Sequence, residues 1–172
     1  MGSDRQVSIT PEEFRKVSGR FATGIAVVTT VHGGQGHGMT AHTYASVSSD
    51  STLISVCIKT AGYLCRVLKD SGLFALSFLR EDQEAISRHF SDPDRPRGWA
   101  QFDGVAYRRG PTGAPIVEGA IASIECRVHG MQEAGDHTIV VGEVVSVWSG
   151  DGRPLLYYDG GYCGLPAETE CL

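Results

Sequence analysis

A chain of 172 residues, with 41% hydrophobic and 20% charged side chains, has the composition of one globular domain. Its formal net charge of -5 argues against nucleic acid or an anionic membrane as the main partner, because both favour a basic surface. The polar N-terminus lacks the apolar core of a secretory signal, and no apolar run reaches the roughly 18 to 20 residues of a membrane span. We therefore expect a cytoplasmic protein whose five cysteines are reduced thiols.

The N-terminal segment predicts a tail followed by a helix. Residues 1–10 form the predicted tail, and Thr10 is placed to cap the helix that follows. Pro11 suits the first helical position, and Glu13 completes a capping box. Apolar residues at helical spacing then continue until Gly24 ends the segment.

A glycine-rich turn separates the first two predicted strands. Residues 25–31 are rich in β-branched side chains, and a second strand is expected over 37–40. The glycines between 33 and 38 do not match the order of a dinucleotide-binding loop, and more strand sequence follows them instead of a helix. They therefore indicate a turn.

The middle of the chain predicts two strands, each followed by a short helix. The strands cover 53–58 and 73–79, and the helices cover 61–70 and 81–90. Residues 91–98 carry prolines and charges and predict a loop.

The last third reads mostly as strands. They are expected near 103–108, 115–128, 138–148 and 154–158. A chain with many strands and few helices closes best as an antiparallel barrel, because closure removes exposed strand edges. Composition and periodicity thus predict a mainly β barrel with a few short helices.

Four segments, occurring in one order, carry a resemblance to a known family. They cover residues 19–30, 37–48, 135–144 and 154–162. Together they resemble the short-chain flavin reductases of the FMN-binding split-barrel class. The resemblance implies a Greek-key split barrel over residues 11–165, with a C-terminal tail over 166–172. It also implies a homodimer that uses NADH or NADPH, binds FAD or FMN, and supplies reduced flavin to a partner monooxygenase.

The resemblance implies flavin contacts on four stretches. They are His37, Gly38, Met39, Thr40 and Ala41; Ser46, Val47 and Ser48; Cys57, Ile58, Lys59 and Thr60; and Phe90 with Tyr157. An irregular strand end can offer backbone donors and acceptors to the flavin ring. On a regular strand the hydroxyls of Ser46 and Ser48 share one face and can hold a phosphate. Lys59 adds a charge, Thr60 adds a donor, and the next helix start adds its N–H groups.

Three residues depart from the family pattern. Ala61 and Tyr63 stand where members often have serine and threonine, which weakens the expected grip on a phosphate. Asp159 stands where many members have arginine, which changes the local charge.

The segment around His137 is the sharpest chemical candidate. An imidazole can donate a hydrogen bond to a flavin or nicotinamide carbonyl, and Asp136 can orient it. Since hydride transfer depends mainly on positioning, we expect His137 to place the nicotinamide and stabilise charge. The alternative is that Asp136 belongs only to the turn.

The other histidines do not predict a metal site. His32, His37 and His42 are five residues apart and do not share a face of an extended strand. No cysteine or carboxylate is placed to complete a ligand set.

Three functions are consistent with these features. The favoured one is reduction of a flavin by a nicotinamide cofactor. The others are a flavin-binding protein without turnover and an oxidase of the pyridoxamine-phosphate type, which needs basic residues for its substrate phosphate. FAD is favoured over FMN on the family comparison, and NADH over NADPH because no basic cluster is evident for a 2′-phosphate.

Overall fold

The computed structural model describes residues 9–166. Within that range the helices are α1 (Pro11–Ser18), α2 (Tyr63–Ser71) and α3 (Glu84–Ser91), with 3₁₀ turns at Glu81–Gln83 and Gly98–Phe102. The strands are β1 (Thr23–Gly24), β2 (Ala26–His32), β3 (Gln35–Ala41), β4 (Ala45–Ser48), β5 (Leu53–Lys59), β6 (Leu73–Phe78), β7 (Tyr107–Arg109), β8 (Pro115–Val117), β9 (Ala122–Ala134), β10 (His137–Ser149), β11 (Leu156–Tyr158) and β12 (Gly161–Cys163). No helix among these residues is long and apolar enough to cross a membrane.

Seven strands form one antiparallel sheet in the order β3-β2-β6-β9-β10-β5-β4. The sheet curls so that β3 approaches β5, and α2 packs on its concave side. Side chains from α2 and from strands across the sheet fill the enclosed core, including Val28, Val56, Leu68, Phe74 and Val140. The predicted mainly β, antiparallel split-barrel fold is confirmed.

A second core lies on the opposite face of β2. Ile25 and Val27 pack there with Phe90 of α3 and with Phe102 and Val117. Because both faces of β2 are covered, its first five residues are all buried. This explains why the segment is a continuous apolar run with two threonines and not an alternating pattern.

The barrel is split where β4 ends. β4 pairs only with Leu53–Ser55, the first half of β5. Further along β5, the Thr43 hydroxyl replaces a backbone partner. It accepts a hydrogen bond from the Cys57 N–H at 2.9 Å and donates one to the Cys57 carbonyl at 3.1 Å. The last residues of β5 therefore face β3 across an open gap.

The predicted capping box of α1 is present, but the helix is shorter than predicted. The Glu13 N–H donates to the Thr10 hydroxyl, and the Glu13 carboxylate accepts from the Thr10 N–H. The helix ends at Ser18, because Thr23 and Gly24 leave it to pair with β11. Phe14 and Val17 of α1 are left exposed.

Other boundaries differ in the loop-rich last third. The strand predicted over 115–128 is divided into β8 and β9, because Gly119 turns the chain with a φ of +74°. The strand predicted over 103–108 is reduced to β7, since the chain turns at Gly104, which has a φ of +78°. The predicted tails, 1–10 and 166–172, lie almost wholly outside the described residues.

Candidate active site

The gap between β3 and β5 opens into a cleft of ≈ 490 Å³. Its volume lies within the roughly 300 to 1,000 Å³ of typical small-molecule sites. The start of α2 and the loop after α3 form its other walls. Of the residues predicted from the sequence, the structure places these on the cleft: His37, Gly38, Met39, Thr40, Ala41, Cys57, Lys59, Phe90 and His137.

The free edge of β3 presents backbone groups to this cleft. The Gly38 N–H donates to Gln101 Oε1 at 2.8 Å, and its carbonyl accepts from Arg95 Nη2 at 2.6 Å. Gly38 therefore faces away from β2, and in an antiparallel ladder Thr40, two residues on, faces the same way. No hydrogen bond to another described residue engages the Thr40 N–H or carbonyl. The peptide at Thr40 is thus an open donor and acceptor.

β5 presents the matching edge across the gap. Cys57 bonds to Thr43 and so faces away from β10, and by the same alternation Lys59 does too. The Lys59 carbonyl accepts from the Gly62 N–H at 2.9 Å, whereas its own N–H has no partner among the described residues. The Lys59 peptide N–H and ammonium group therefore belong to one wall.

The N-terminus of α2 completes that wall. Gly62 is its N-cap and has no side chain to satisfy the first helical N–H groups. Gly62, Tyr63 and Leu64 line the cleft. Unpaired N–H groups at a helix start favour an anionic group, with support from the helix dipole.

The cleft is positively charged although the chain carries a net charge of -5. Lys59, Arg95 and Arg97 line it, and no aspartate or glutamate of the described residues does. Arg95 donates to the carbonyls of Gly38 and Asp92, both at 2.6 Å, and burial lowers the pKa of its guanidinium. The charge distribution suits a ligand with phosphate groups.

His37 forms a buried part of the wall. Burial lowers its pKa, and repulsion from His32 lowers it further. Its ring lies 5.1 Å from the Tyr63 ring, centroid to centroid. At neutral pH His37 is therefore an uncharged imidazole that packs against an aromatic ring.

His137 and Asp136 are paired at the start of β10. Nδ1 of His137 lies 2.8 Å from Asp136 Oδ1, and this hydrogen bond lowers the pKa of the Asp136 carboxyl. A carboxylate only accepts, so Nδ1 carries the hydrogen and Nε2 is free for a ligand. Asp136 itself lies outside the cleft lining, which is consistent with a residue that orients the His137 ring without touching the ligand.

Two predicted contacts on β5 are not in the cleft. Ile58 is fully buried, because it points into the barrel core while Cys57 and Lys59 on either side point out. The Thr60 N–H donates to the Asp136 carbonyl at 3.0 Å, and its hydroxyl lies 2.9 Å from the Thr138 hydroxyl. Thr60 thus joins β5 to β10 and lies outside the cleft lining.

Ser46, Val47 and Ser48 lie outside the lining of this cleft, and the geometry of β4 explains why the two serines do not share one face. Ser46 is opposite Ile54 and Ser48 is opposite Leu53, so Val47 is the extra residue of a bulge. Adjacent residues of β5 point to opposite faces, and the two serines opposite them do likewise. None of the three lines the cleft, and the Ser48 hydroxyl accepts from the Ser51 N–H at 3.2 Å.

Tyr157 lies in a neighbouring cleft of ≈ 360 Å³. Thr40, His42 and Ser91 line both clefts, which are therefore continuous. The Tyr157 ring lies 5.7 Å from that of His42. Asp159, which departs from the family pattern, pairs with Arg20 at 3.5 Å outside both clefts.

Sequence reasoning missed Arg95, Arg97 and Gln101. Arg95 and Arg97 come from the segment predicted only as a loop, and Gln101 comes from the 3₁₀ turn that follows it. They reach the cleft because α3 and this turn pack beside β3. The available signal was an Arg-Pro-Arg run that begins five residues after the predicted flavin contact Phe90. Phe90 itself is 1% exposed and packs against Phe102 within the wall.

The site fits a flavin nucleotide. It offers open peptide groups at Thr40 and Lys59 for a ring with carbonyl and nitrogen atoms, and it offers cations and a helix start for phosphate. Over residues 9–166, no group of three histidine, cysteine or acidic side chains is gathered as a metal site would require.

Comparison with known proteins identifies the family. A family model described as the flavin reductase like domain matches residues 18–166. The chain belongs to the flavin reductase-like family.

Individual relatives agree with this family assignment. An NADH-dependent FAD reductase of Streptomyces globisporus is 40% identical over 150 residues, covering 87% of this chain and 82% of the relative. The reductase subunit HsaB of a flavin-dependent monooxygenase, from Mycobacterium tuberculosis, is 36% identical over 165 residues, covering 93% and 85%.

A solved structure agrees as well. BorF, the flavin reductase component of a bacterial two-component tryptophan halogenase, superimposes with a TM-score of 0.87. It shares 36% sequence identity, and the match covers 92% of this chain and 100% of BorF. The predicted family and the predicted flavin reductase activity are confirmed.

Proposed function

We propose that this flavin reductase binds flavin in the cleft between β3 and β5 and reduces it with NADH or NADPH. The observation that carries the proposal is the cleft's composition. Open peptide groups on two strand edges face three cations without an acidic residue among the described lining, in a chain of net negative charge. The positive charge of the cleft favours an anionic ligand over a neutral or cationic one.

The proposed role of the chain's own residues is to bind the flavin and the nicotinamide cofactor and to position them for reaction. A flavin held in this cleft would supply the nitrogen that accepts a hydride from the nicotinamide cofactor. The Thr40 peptide is placed to fix the flavin ring, and Lys59 with the α2 N-terminus to hold its phosphate. Nε2 of His137, oriented by Asp136, is placed to hold the nicotinamide. The rate then comes from orientation more than from acid–base chemistry.

FAD is the favoured flavin. The second cleft, continuous with the first through Thr40 and His42, gives room for the adenylate half. Tyr157 and Tyr162 supply aromatic surface there, with ring centroids 5.5 Å apart. These features support a larger flavin than FMN.

The reduced flavin is proposed to pass to a partner monooxygenase. Relatives that are reductase components of two-component systems support this assignment. We further propose a cytoplasmic homodimer. Exposed apolar side chains on α1 and β10, among them Phe14, Val17, Val147 and Trp148, support a protein interface.

The test is nicotinamide oxidation by the purified chain. We expect the nicotinamide absorbance to fall when NADH or NADPH is mixed with FAD, more slowly with FMN, and not without flavin. A protein that binds flavin tightly but leaves both nicotinamides unoxidised would be the flavin-binding module considered above, and the proposal would fail.

A further inference from the structure

An aromatic and cationic cluster stands at the mouth of the cleft. The guanidinium carbons of Arg66 and Arg97 lie 5.5 and 5.1 Å from the centroid of the Tyr63 ring. The buried His37 ring packs on the same tyrosine at 5.1 Å. The Tyr63 ring thus contacts two arginines that are 31 positions apart in the sequence.

Neither arginine is neutralised. Within residues 9–166, no carboxylate lies within 4.0 Å of Arg66 or Arg97, whereas Arg20, Arg80, Arg88, Arg127 and Arg153 each have such a partner. Both side chains are exposed, and contact with an aromatic ring restricts their conformations. The cluster therefore gathers two guanidinium groups, neither with a carboxylate partner among the described residues, around one tyrosine ring.

Such a pair suits a phosphate monoester. A guanidinium matches phosphate oxygens with two parallel hydrogen bonds, and a terminal phosphate carries more charge than a phosphate within a diester. Inside the cleft, Lys59 and the α2 N-terminus already provide a place for the flavin's phosphate. Tyr63 and Arg97 line the cleft whereas Arg66 does not, so the cluster spans the rim of the cleft and can serve a group nearer the solvent than the flavin's phosphate.

We infer that Arg66 and Arg97 bind the 2′-phosphate of NADPH and give this enzyme a preference for NADPH over NADH. The inference rests on the proposed function. It goes beyond the expectation of NADH, which came from the lack of an evident basic cluster in the sequence. The cluster exists only once α2 and the loop after α3 are brought together.

Direct binding tests the inference without turnover. Adenosine 2′,5′-bisphosphate and 5′-AMP differ by the 2′-phosphate, and titration calorimetry on the flavin-free protein compares them. We expect the bisphosphate to bind about tenfold or more tightly, because hydrogen bonds to charged groups are involved. In the double variant Arg66→Met with Arg97→Met this difference should vanish. The matched double variant Arg66→Lys with Arg97→Lys keeps both charges but loses the planar guanidinium groups. It should retain part of the difference in affinity between the bisphosphate and 5′-AMP.

Kinetics separate the sources of the phosphate. With FAD as acceptor, the single variant Arg66→Met, at the arginine outside the cleft lining, should raise the KM for NADPH about tenfold and change that for NADH less than about twofold. The KM for FMN could instead rise while the KM values for riboflavin and for NADPH stay unchanged. That result would place the flavin's phosphate at the cluster and overturn the inference. Equal losses for NADH and NADPH would indicate general electrostatic attraction and would also overturn it. Absence of any nicotinamide oxidation in the wild type would instead contradict the proposed function.

Discussion

His137 is held by a single hydrogen bond, and its chemistry follows from that. With Nδ1 bound to Asp136 at 2.8 Å, only Nε2 is available to a ligand. Asp136 is 88% exposed, so the pair orients the ring without strongly stabilising it.

Replacing His137 tests this role. In His137→Ala we expect kcat/KM for the nicotinamide to fall about ten- to hundredfold, through the loss of one charge-assisted contact. The flavin dissociation constant should change less than about twofold, since the flavin's contacts lie on β3, β5 and α2. Stopped-flow kinetics and flavin fluorescence titration measure the two quantities. Asp136→Asn should lower kcat/KM for the nicotinamide less than His137→Ala does. Unchanged nicotinamide kinetics in His137→Ala would contradict the role assigned to His137.

His37 makes stability depend on pH. Burial lowers its pKa below the ordinary value of 6.5, so as pH falls the unfolded chain takes up this proton before the folded one does. The stabilisation is complete above about pH 6.5 and is lost as the pH falls below that value. Urea unfolding at about pH 7.5 and 5.5 should show a larger loss of unfolding free energy in the wild type than in His37→Gln. Equal losses in the two proteins would show that other groups are responsible.

At the residue scale, sequence reasoning succeeded where geometry is regular. Thr40 and Lys59 reach the cleft because strands β3 and β5 continue without interruption up to it. Ser46 and Ser48 do not, since one inserted residue in β4 changes which face each occupies. A bulge of this kind depends on the partner strand and leaves no signal in a single sequence.

The loop between α3 and the following 3₁₀ turn acts as a wall of the site. Arg95 joins the Asp92 carbonyl to the Gly38 carbonyl, and Gln101 bonds to Gly36 and Gly38 on the same strand edge. These contacts occupy backbone groups of β3 that would otherwise face solvent. They leave the peptide at Thr40 as the open one.

Arg95→Met should loosen this wall. The variant leaves the Gly38 carbonyl without its donor and removes one of two donors to the Asp92 carbonyl, and it should lower the free energy of unfolding by about 1 to 3 kcal/mol. The KM for flavin should rise more than the KM for the nicotinamide, because the loop supports the β3 edge. Thermal unfolding and steady-state kinetics measure both effects. Arg109→Met, at an arginine that packs on Trp99 outside the cleft, is the control; an equal change in flavin KM there would count against a specific role for the loop.

At the element scale, strands were easier to predict than their ends. β2, β5 and β6 have long runs of β-branched and aliphatic residues, and their positions agree with prediction within a residue or two. The loop from 91 to 98 has no periodicity, so its folding over β3 could not be foreseen. The cationic character of the cleft depends on that loop, and for this reason it was also missed.

The whole molecule separates its charges and its apolar surface. Cations line the cleft, while exposed apolar side chains on α1 and β10, among them Phe14, Val17, Val147 and Trp148, lie outside its lining. We expect two chains to associate through this apolar surface. Light scattering on the eluting protein should give twice the mass of one chain, and Trp148→Glu with Val147→Lys should shift it toward a single chain. A wild-type protein that remains monomeric at micromolar concentration would contradict the proposed dimer.

The central claim is that flavin and nicotinamide meet in the cleft between β3 and β5, and blocking that cleft tests it most directly. Cys57 lines the cleft and is half-buried, so Cys57→Trp should fill it, whereas Asp50→Trp places the same ring on an exposed turn. After anaerobic rapid mixing with NADH or NADPH, the flavin absorbance should bleach in the wild type and in Asp50→Trp. It should persist in a folded Cys57→Trp protein. Bleaching by Cys57→Trp at the wild-type rate would contradict the claim.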